Sequence, residues 1–531
     1  MLEVDLHTSQ LNNETTNLYT IPNWVSTRTH CDKKNNSRSL IINNRTHEVC
    51  IIDGVASVVW NMIVEAKPFK EIQHYAESKE YESHEIEELI TELIDADLIF
   101  LKDGTNVGSS FVCPPPSVAD VALDGESSED WIEIEADYRN WCVENGLLFS
   151  AFIETNYRCN ERCVHCFNPG AAHHDHERPK RNRDELSFEE LCKQIDNLYK
   201  LGTFRITLSG GEFFLRKDAF AIIEYIRSKK MDVEVFTNGL LLSEDKATKL
   251  AALWPHEVGL SLYSANPIIH DQVTRVPGSW EQTVGAIKRL VSKGITVKIK
   301  CALMKSNVKG YMLVRELAVS LGAKISFDIQ ISAGNDGASH PLTLNVDDFG
   351  ELVVLAMTEG SPLDITKMNL NNLNKDKPRL GNVCGAGTYA LSLTPDGDIL
   401  PCAALPHKLG NVREGNGEEL NKIWFGSTVG NNVNDKDTQP NITKTWGGLS
   451  TWQGLKFEDT EECGTHSRCH FCNRCVGGSL SGKGNALKPM ENQCKQAAAK
   501  LEASKAIEKG MTREEVCSHF GVSTNFGLSY E

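Results

Sequence analysis

This chain has no apolar run near the roughly 18 residues a membrane-spanning helix needs, so no membrane partner is expected. Its first residues, MLEVDLHTSQLNNETTN, lack the basic and apolar stretches of a secretory signal, and a cytoplasmic protein is expected. Positive charge is also short. Lys and Arg number 55 against 72 Asp and Glu, a net charge of -17. So acidic a chain repels phosphate, which argues against nucleic acid as a partner. Cysteine is the opposite case. The 531 residues include 17 cysteines, and in a cytoplasmic protein such usage signals metal or redox chemistry rather than disulfides.

The string C-N-E-R-C-V-H-C carries Cys159, Cys163 and Cys166. Three thiolates from one tight loop are one fewer than a cubic iron–sulfur cluster or a tetrahedral zinc requires. A site short of one protein ligand leaves a coordination position for a substrate or cofactor. On spacing alone a zinc loop remains open. The C-x3-C-x2-C spacing resembles the cluster loop of the radical S-adenosylmethionine (SAM) enzymes. The resemblance implies that Cys159, Cys163 and Cys166 hold a [4Fe-4S] cluster whose fourth iron binds the amino and carboxylate groups of SAM. It further implies reductive cleavage to a 5'-deoxyadenosyl radical and a flavodoxin- or ferredoxin-type reductant as partner.

From about residue 145 strand-like and helical runs alternate. The strands fall near 148–154, 205–208, 233–237, 258–263, 296–303 and 324–331. The fold class expected is α/β, a partial (β/α)6 TIM-type barrel over 145–340. Motifs follow successive strands, the catalytic face of such a barrel. L-S-G-G-E supplies Gly210, Gly211 and Glu212, F-T-N-G supplies Asn238, and S-L-Y-S supplies Ser261 and Tyr263. Paired glycines let backbone approach a ligand closely. The family resemblance assigns Gly210, Gly211, Glu212, Asn238 and Ser261 to SAM binding, with Phe213 standing where the family has Pro. His270 and Asp271 read as an acid–base pair or as a structural loop pair, the second being favoured. His173, His174 and His176 sit in a highly charged segment and read as a solvated loop rather than a metal site.

Residues 1–37 are polar and read as a flexible arm. Two strands, Leu40–Ile42 and Val49–Ile52, then three helical stretches make a small winged-helix unit over 38–103. It resembles the PqqD-like peptide-recognition domain, chiefly through I-D-G-V-A-S-V-V-W at Ile52–Trp60. That resemblance implies capture of a precursor peptide through its leader, added as a strand to the sheet edge. Residues 104–144, with Pro114–Pro116 and an acidic run, read as a linker.

The C-terminal third carries Cys384, Cys402, Cys463, Cys469, Cys472, Cys475 and Cys494. The pattern C-x12-G-x4-C ending at Cys402 resembles the SPASM extension, placed over 380–496 after a connecting helical region at 341–379. The resemblance implies two auxiliary [4Fe-4S] clusters. This chain reads C-x5-C-x2-C-x2-C where the family reads C-x2-C-x5-C-x3-C, so the assignment of cysteines to clusters is open. Two cubic clusters need eight ligands and seven thiolates are present. An open iron, His466 or His470, or an outlying cysteine makes up the difference; one cluster with spare thiols, or zinc, are the alternatives. Residues 429–441, V-G-N-N-V-N-D-K-D-T-Q-P-N, read as a polar loop and 497–531 as a helical tail. The function expected is maturation of a ribosomally made peptide by hydrogen abstraction, installing a thioether or carbon–carbon link. Maturation of a whole protein, or a noncatalytic iron–sulfur carrier, are the alternatives.

Overall fold

The structure, a computed structural model, describes residues 19–101, 129–166, 184–332, 340–415, 418–426 and 448–530, less a few positions between 369 and 376. The histidine cluster at 173–176 and the loop 429–441 lie outside these residues. Among the described residues no helix is long and apolar enough to cross a membrane.

The N-terminal unit starts earlier than its composition suggests. Tyr19–Thr20 (β1) and Val25–Cys31 (β2) are strands, so the expected flexible arm is corrected from Tyr19 onward. β2 joins Ser37–Asn43 (β3) and Glu48–Asp53 (β4) in an antiparallel sheet of order β2-β3-β4. β1 pairs with Phe100–Leu101 (β5). The polar sequence of β2 hid it because its polar groups are satisfied from outside the sheet. Thr27 donates its N–H to Lys230 O at 2.8 Å, and Ser26 Oγ donates to Asp232 at 2.9 Å. Alternation on β3 feeds two cores. Ile41 packs with Trp60, Ile72 and Ile90 of the helices Gly54–Val64, Phe69–Glu77 and Ser83–Asp95. Leu40 and Ile42 pack with Tyr138, Cys142, Phe149 and Phe204. Tyr138 and Cys142 sit one turn apart on a helix, Glu129–Glu144, so the expected linker is corrected too. The acidic composition concealed its single buried face.

The barrel strands follow as expected: Ser150–Glu154 (β6), Arg205–Ser209 (β7), Asp232–Thr237 (β8), Glu257–Ser261 (β9), Val297–Ala302 (β10) and Lys324–Asp328 (β11). Each is parallel to its neighbour. Val and Ile at alternate positions, such as Ile206, Val233, Val258 and Ile299, pack outward in one continuous core. The sheet does not stop at six strands. Ala390–Leu393 (β12) lies parallel to β6, and Asp398–Leu400 (β13) and Gly410–Asn411 (β14) continue it antiparallel. The C-terminal cysteine region is therefore built onto the strand that leads into the Cys159 loop.

The N-terminal unit docks at the starts of β7 and β8 through buried charge. Arg205 donates to Asp232 at 2.7 Å and to Glu135 at 3.0 Å, joining the barrel to the Glu129–Glu144 helix. His256 closes this cluster. Its Nδ1 lies 3.2 Å from Asn44 Oδ1 and 3.5 Å from Asp232, while its Nε2 faces Arg205 at 3.4 Å. These partners assign a neutral ring with the proton on Nδ1. Burial pushes His256 down to about 4, with Asp232 opposing and Arg205 reinforcing the shift. A histidine buried neutral stabilises the fold fully above its unfolded pKa, near 6.5, and destabilises it as pH falls toward 4. Thermal unfolding should show stability falling over that window, with His256 contributing on the order of 3 kcal/mol. His256→Asn should lower stability at neutral pH and flatten that loss.

Candidate active site and iron–sulfur sites

The three motif loops meet at the C-terminal ends of β6, β7 and β8, and one carboxylate ties two of them. Glu212 is 1% exposed. It accepts from Thr237 Oγ1 at 2.7 Å, from the N–H of Asn238 at 2.8 Å and from the N–H of Phe214 at 3.0 Å. Its own N–H donates to Arg158 O at 2.8 Å, and Asn156 Nδ2 donates to Glu212 O at 2.8 Å. The side chain is thus turned into the fold and holds the F-T-N-G turn.

The two glycines before it serve the cysteine loop. A Cβ on Gly211 would lie 2.2 Å from Arg158 O, and one on Gly210 (φ +150°) would lie 2.6 Å from Asn156 O. No side chain fits there, because the backbone leading to Cys159 crosses directly over both residues. Close approach is real at this turn, but the partner is the chain itself.

Asn238 reaches the same loop from β8. Its Nδ2 donates to Asn160 Oδ1 at 2.7 Å and lies 4.0 Å from Cys159 Sγ. Ser261 ends β9 in register with Lys300 of β10. Tyr263 lies beneath the loop, its hydroxyl 4.0 Å from Cys163 Sγ, its ring edge-on to His165 and stacked on His270. His270 and Asp271 are structural. His270 is fully buried, and Nδ1 accepts from Tyr263 N–H at 3.2 Å. Asp271 accepts from Gly278 N–H, Ser279 Oγ and Trp280 N–H, capping the next helix.

Cys159, Cys163 and Cys166 are within electrostatic reach of one another. Burial pushes Cys159 up to about 12 and raises Cys163 well above the usual thiol range. Cys159 and Cys163 are therefore neutral thiols in the loop alone, and metal must displace their protons. Among the described residues no three His, Cys, Asp or Glu side chains converge as a single metal ion requires. The donor set is three thiols spread around one turn, which fits a body several ångströms across, such as a cubic cluster, better than one zinc ion.

The seven C-terminal cysteines divide three and four. Cys384, Cys402 and Cys475 act electrostatically on one another. Cys463, Cys469, Cys472 and Cys494 line one small cavity. The altered spacing thus distributes its first three cysteines to the larger group and its last to the smaller. Gly477, just after Cys475, lets the Cys402 turn close in: a Cβ there would lie 1.8 Å from Ala404 O. His470 faces Lys377 O at 2.8 Å rather than either group.

Several residues at these sites had no motif to mark them. Tyr157, two residues before Cys159, donates its hydroxyl to Asp396 at 2.6 Å, joining the cysteine loop to the β12–β13 turn. Arg379 donates to the carbonyls of Cys469 and Cys472 at 2.7 and 2.6 Å. Arg474 donates to Cys463 Sγ at 2.6 Å. Only long-range pairing reveals Tyr157 and Arg379. Arg474 was visible only as a cation inside the cysteine block.

Gly211→Ala tests the crossing of the two backbones. The methyl group would displace Arg158 and with it Cys159. The reconstituted variant should lose about four irons, those of one cubic cluster, while circular dichroism stays that of the parent. Unchanged iron content would contradict this packing.

Known proteins fit this geometry. Residues 153–310 match the Radical SAM superfamily, and residues 384–476 match the SPASM iron–sulfur cluster-binding domain. The chain is 27% identical over 354 residues to the antilisterial bacteriocin subtilosin biosynthesis protein AlbA of Bacillus subtilis, covering 65% of this chain and 70% of AlbA. It is 26% identical over 341 residues to the mycofactocin maturase MftC of Mycolicibacterium smegmatis, covering 62% of this chain and 77% of MftC. The crystal structure of Streptococcus suis SuiB bound to S-adenosylmethionine shares the fold, with a TM-score of 0.50 at 14% identity over 90% of this chain and all of SuiB. This chain is a radical SAM enzyme carrying a SPASM domain, with [4Fe-4S] clusters and S-adenosylmethionine as its cofactors.

Proposed function

We propose that this enzyme matures a ribosomally synthesised peptide, closing a thioether or carbon–carbon link in its core. The observation that carries this is the outer edge of β4, which no second strand pairs among the described residues. In the β2-β3-β4 sheet, β2 is covered by the barrel through Thr27 and Lys230, whereas β4 pairs only with β3 among the described residues. An unpaired strand edge is a template for an incoming peptide strand. Val49 and Ile51 pack toward the Glu129–Glu144 helix and Cys50 and Ile52 toward the three N-terminal helices, and their half-exposed remainders would flank a leader strand. The relatives agree in kind: AlbA and MftC serve the biosynthesis of subtilosin and mycofactocin, and the SuiB fold has been crystallised with its precursor peptide SuiA.

Cys159, Cys163 and Cys166 would hold the cluster that binds SAM. Bound there, the cofactor supplies a 5'-deoxyadenosyl radical when an electron arrives from a flavodoxin- or ferredoxin-type donor. The chain's own part is placement and enclosure. Glu212 fixes the G-G-E and F-T-N-G turns, whose backbone, with Asn238 and Ser261, would line the cofactor site. Tyr263 and His165 would exclude water beneath the cluster loop. Cys384, Cys402 and Cys475 would hold one auxiliary cluster with an open iron, and Cys463, Cys469, Cys472 and Cys494 a closed one. Link formation removes two hydrogens from the peptide, so an acceptor for one electron beyond the radical step is required, and the auxiliary sites would provide it.

The test is anaerobic incubation of the reconstituted enzyme with reductant, SAM and the small peptide encoded beside its gene. The expected result is 5'-deoxyadenosine together with a peptide lighter by two hydrogens. Changing all three of Cys159, Cys163 and Cys166 to Ala should abolish both products. Cys402→Ala or Cys475→Ala should leave cofactor cleavage but stop the mass change. Backbone hydrogen exchange across Glu48–Asp53 should slow when the peptide binds. Deoxyadenosine without any peptide change, and no slowing at β4, would sink the peptide-maturase reading.

A further inference from the structure

A buried cation touches one C-terminal cysteine group and adjoins the other along the chain. Arg474 is 5% exposed. Nη1 donates to Cys463 Sγ at 2.6 Å, Nη2 donates to Ala486 O at 2.7 Å and to Lys488 O at 3.0 Å, and Nε has no partner. All three acceptors are neutral groups or a thiol; among the described residues no carboxylate balances this guanidinium. Arg474 lines the four-cysteine cavity and immediately precedes Cys475 of the three-cysteine group, so one side chain adjoins both. Arg379 donates to carbonyls of the four-cysteine segment and lies over the Phe457 ring, and the half-buried Arg468 also lines the four-cysteine cavity.

A guanidinium taken out of water without a counter-charge costs several kcal/mol, so a buried one implies an anion. Around a [4Fe-4S] core in its usual oxidised state four thiolates leave a doubly negative body and three leave a singly negative one, and reduction adds one negative charge to each. We infer that Arg474 is the shared counter-ion of both auxiliary clusters and holds the reduction potentials of both up. This rests on the reading that the seven cysteines hold two clusters. The physical reason is direct. A cation stabilises the more negative, reduced state, and hydrogen bonds to cluster sulfurs act in the same direction. A cation adjoining two clusters also lowers the penalty for placing an electron on one when the other is already reduced. Arg474 is a positioning residue for electrons, with no contact to the peptide required.

The experiment uses the full chain with Cys159, Cys163 and Cys166 changed to Ala, so that only auxiliary clusters load. Arg474→Gln and Arg474→Lys are made in that background. Iron is counted, and each cluster is titrated with reductant and followed by paramagnetic resonance, its signal assigned with Cys402→Ala and Cys494→Ala. The parent should hold about eight irons. In Arg474→Gln both midpoint potentials should fall, and in Arg474→Lys they should fall less, because the charge survives although the fork of donors does not. Potentials equal to the parent's, or a shift confined to one cluster, overturn the inference. Should Arg474→Gln take up no iron, Arg474→Lys decides: restored loading supports the counter-ion role, and equal failure marks Arg474 as merely structural. A parent that holds four irons or fewer instead overturns the two-cluster reading beneath it.

Discussion

The buried carboxylate of Glu212 is the constraint on which the active face depends. It gathers three donors from β7 and β8 in an enclosed site where each such bond is costly to leave unmade. Through its own backbone it grips Arg158, one residue before Cys159. The cysteine loop, the paired glycines and the F-T-N-G turn are therefore one object. Their order along the chain follows from this, since each must leave the end of a successive parallel strand to reach the same carboxylate.

The second organising feature is the continuous sheet. Because β12 pairs with β6, the C-terminal cysteine region is fixed to the strand that delivers Cys159. The Tyr157–Asp396 bond repeats that attachment at the loop itself. The N-terminal unit is fixed at the opposite end of the strands, where Arg205, Asp232, Glu135 and His256 form a buried charged joint.

Much of this was legible in the chain. Strict spacing exposed the cysteine triad, and apolar runs at regular intervals exposed the six barrel strands, since parallel strands are buried on both faces. What stayed hidden was structure held by distant polar partners. β2 reads as a polar arm because Ser26 and Thr27 find acceptors on the barrel over 200 residues away. The Glu129–Glu144 helix reads as a linker because only one narrow face, with Tyr138 and Cys142, is buried. The role of Glu212 was displaced for the same reason: its motif marks the turn, and only the packed structure shows the carboxylate pointing inward. The division of the seven cysteines into three and four depends on the path of the chain between them, which spacing does not contain.

The most direct test of three separate iron–sulfur sites is a site-resolved iron count on the anaerobically reconstituted chain. About twelve irons are expected for three cubic clusters. The count should drop by about four when Cys159, Cys163 and Cys166 are removed, by about four when Cys384 and Cys402 are removed, and by about four when Cys469 and Cys494 are removed. Losses that add across the three sets would bear out the three-site account. A total near four, or a loss of every cluster on removing any one set, would contradict it.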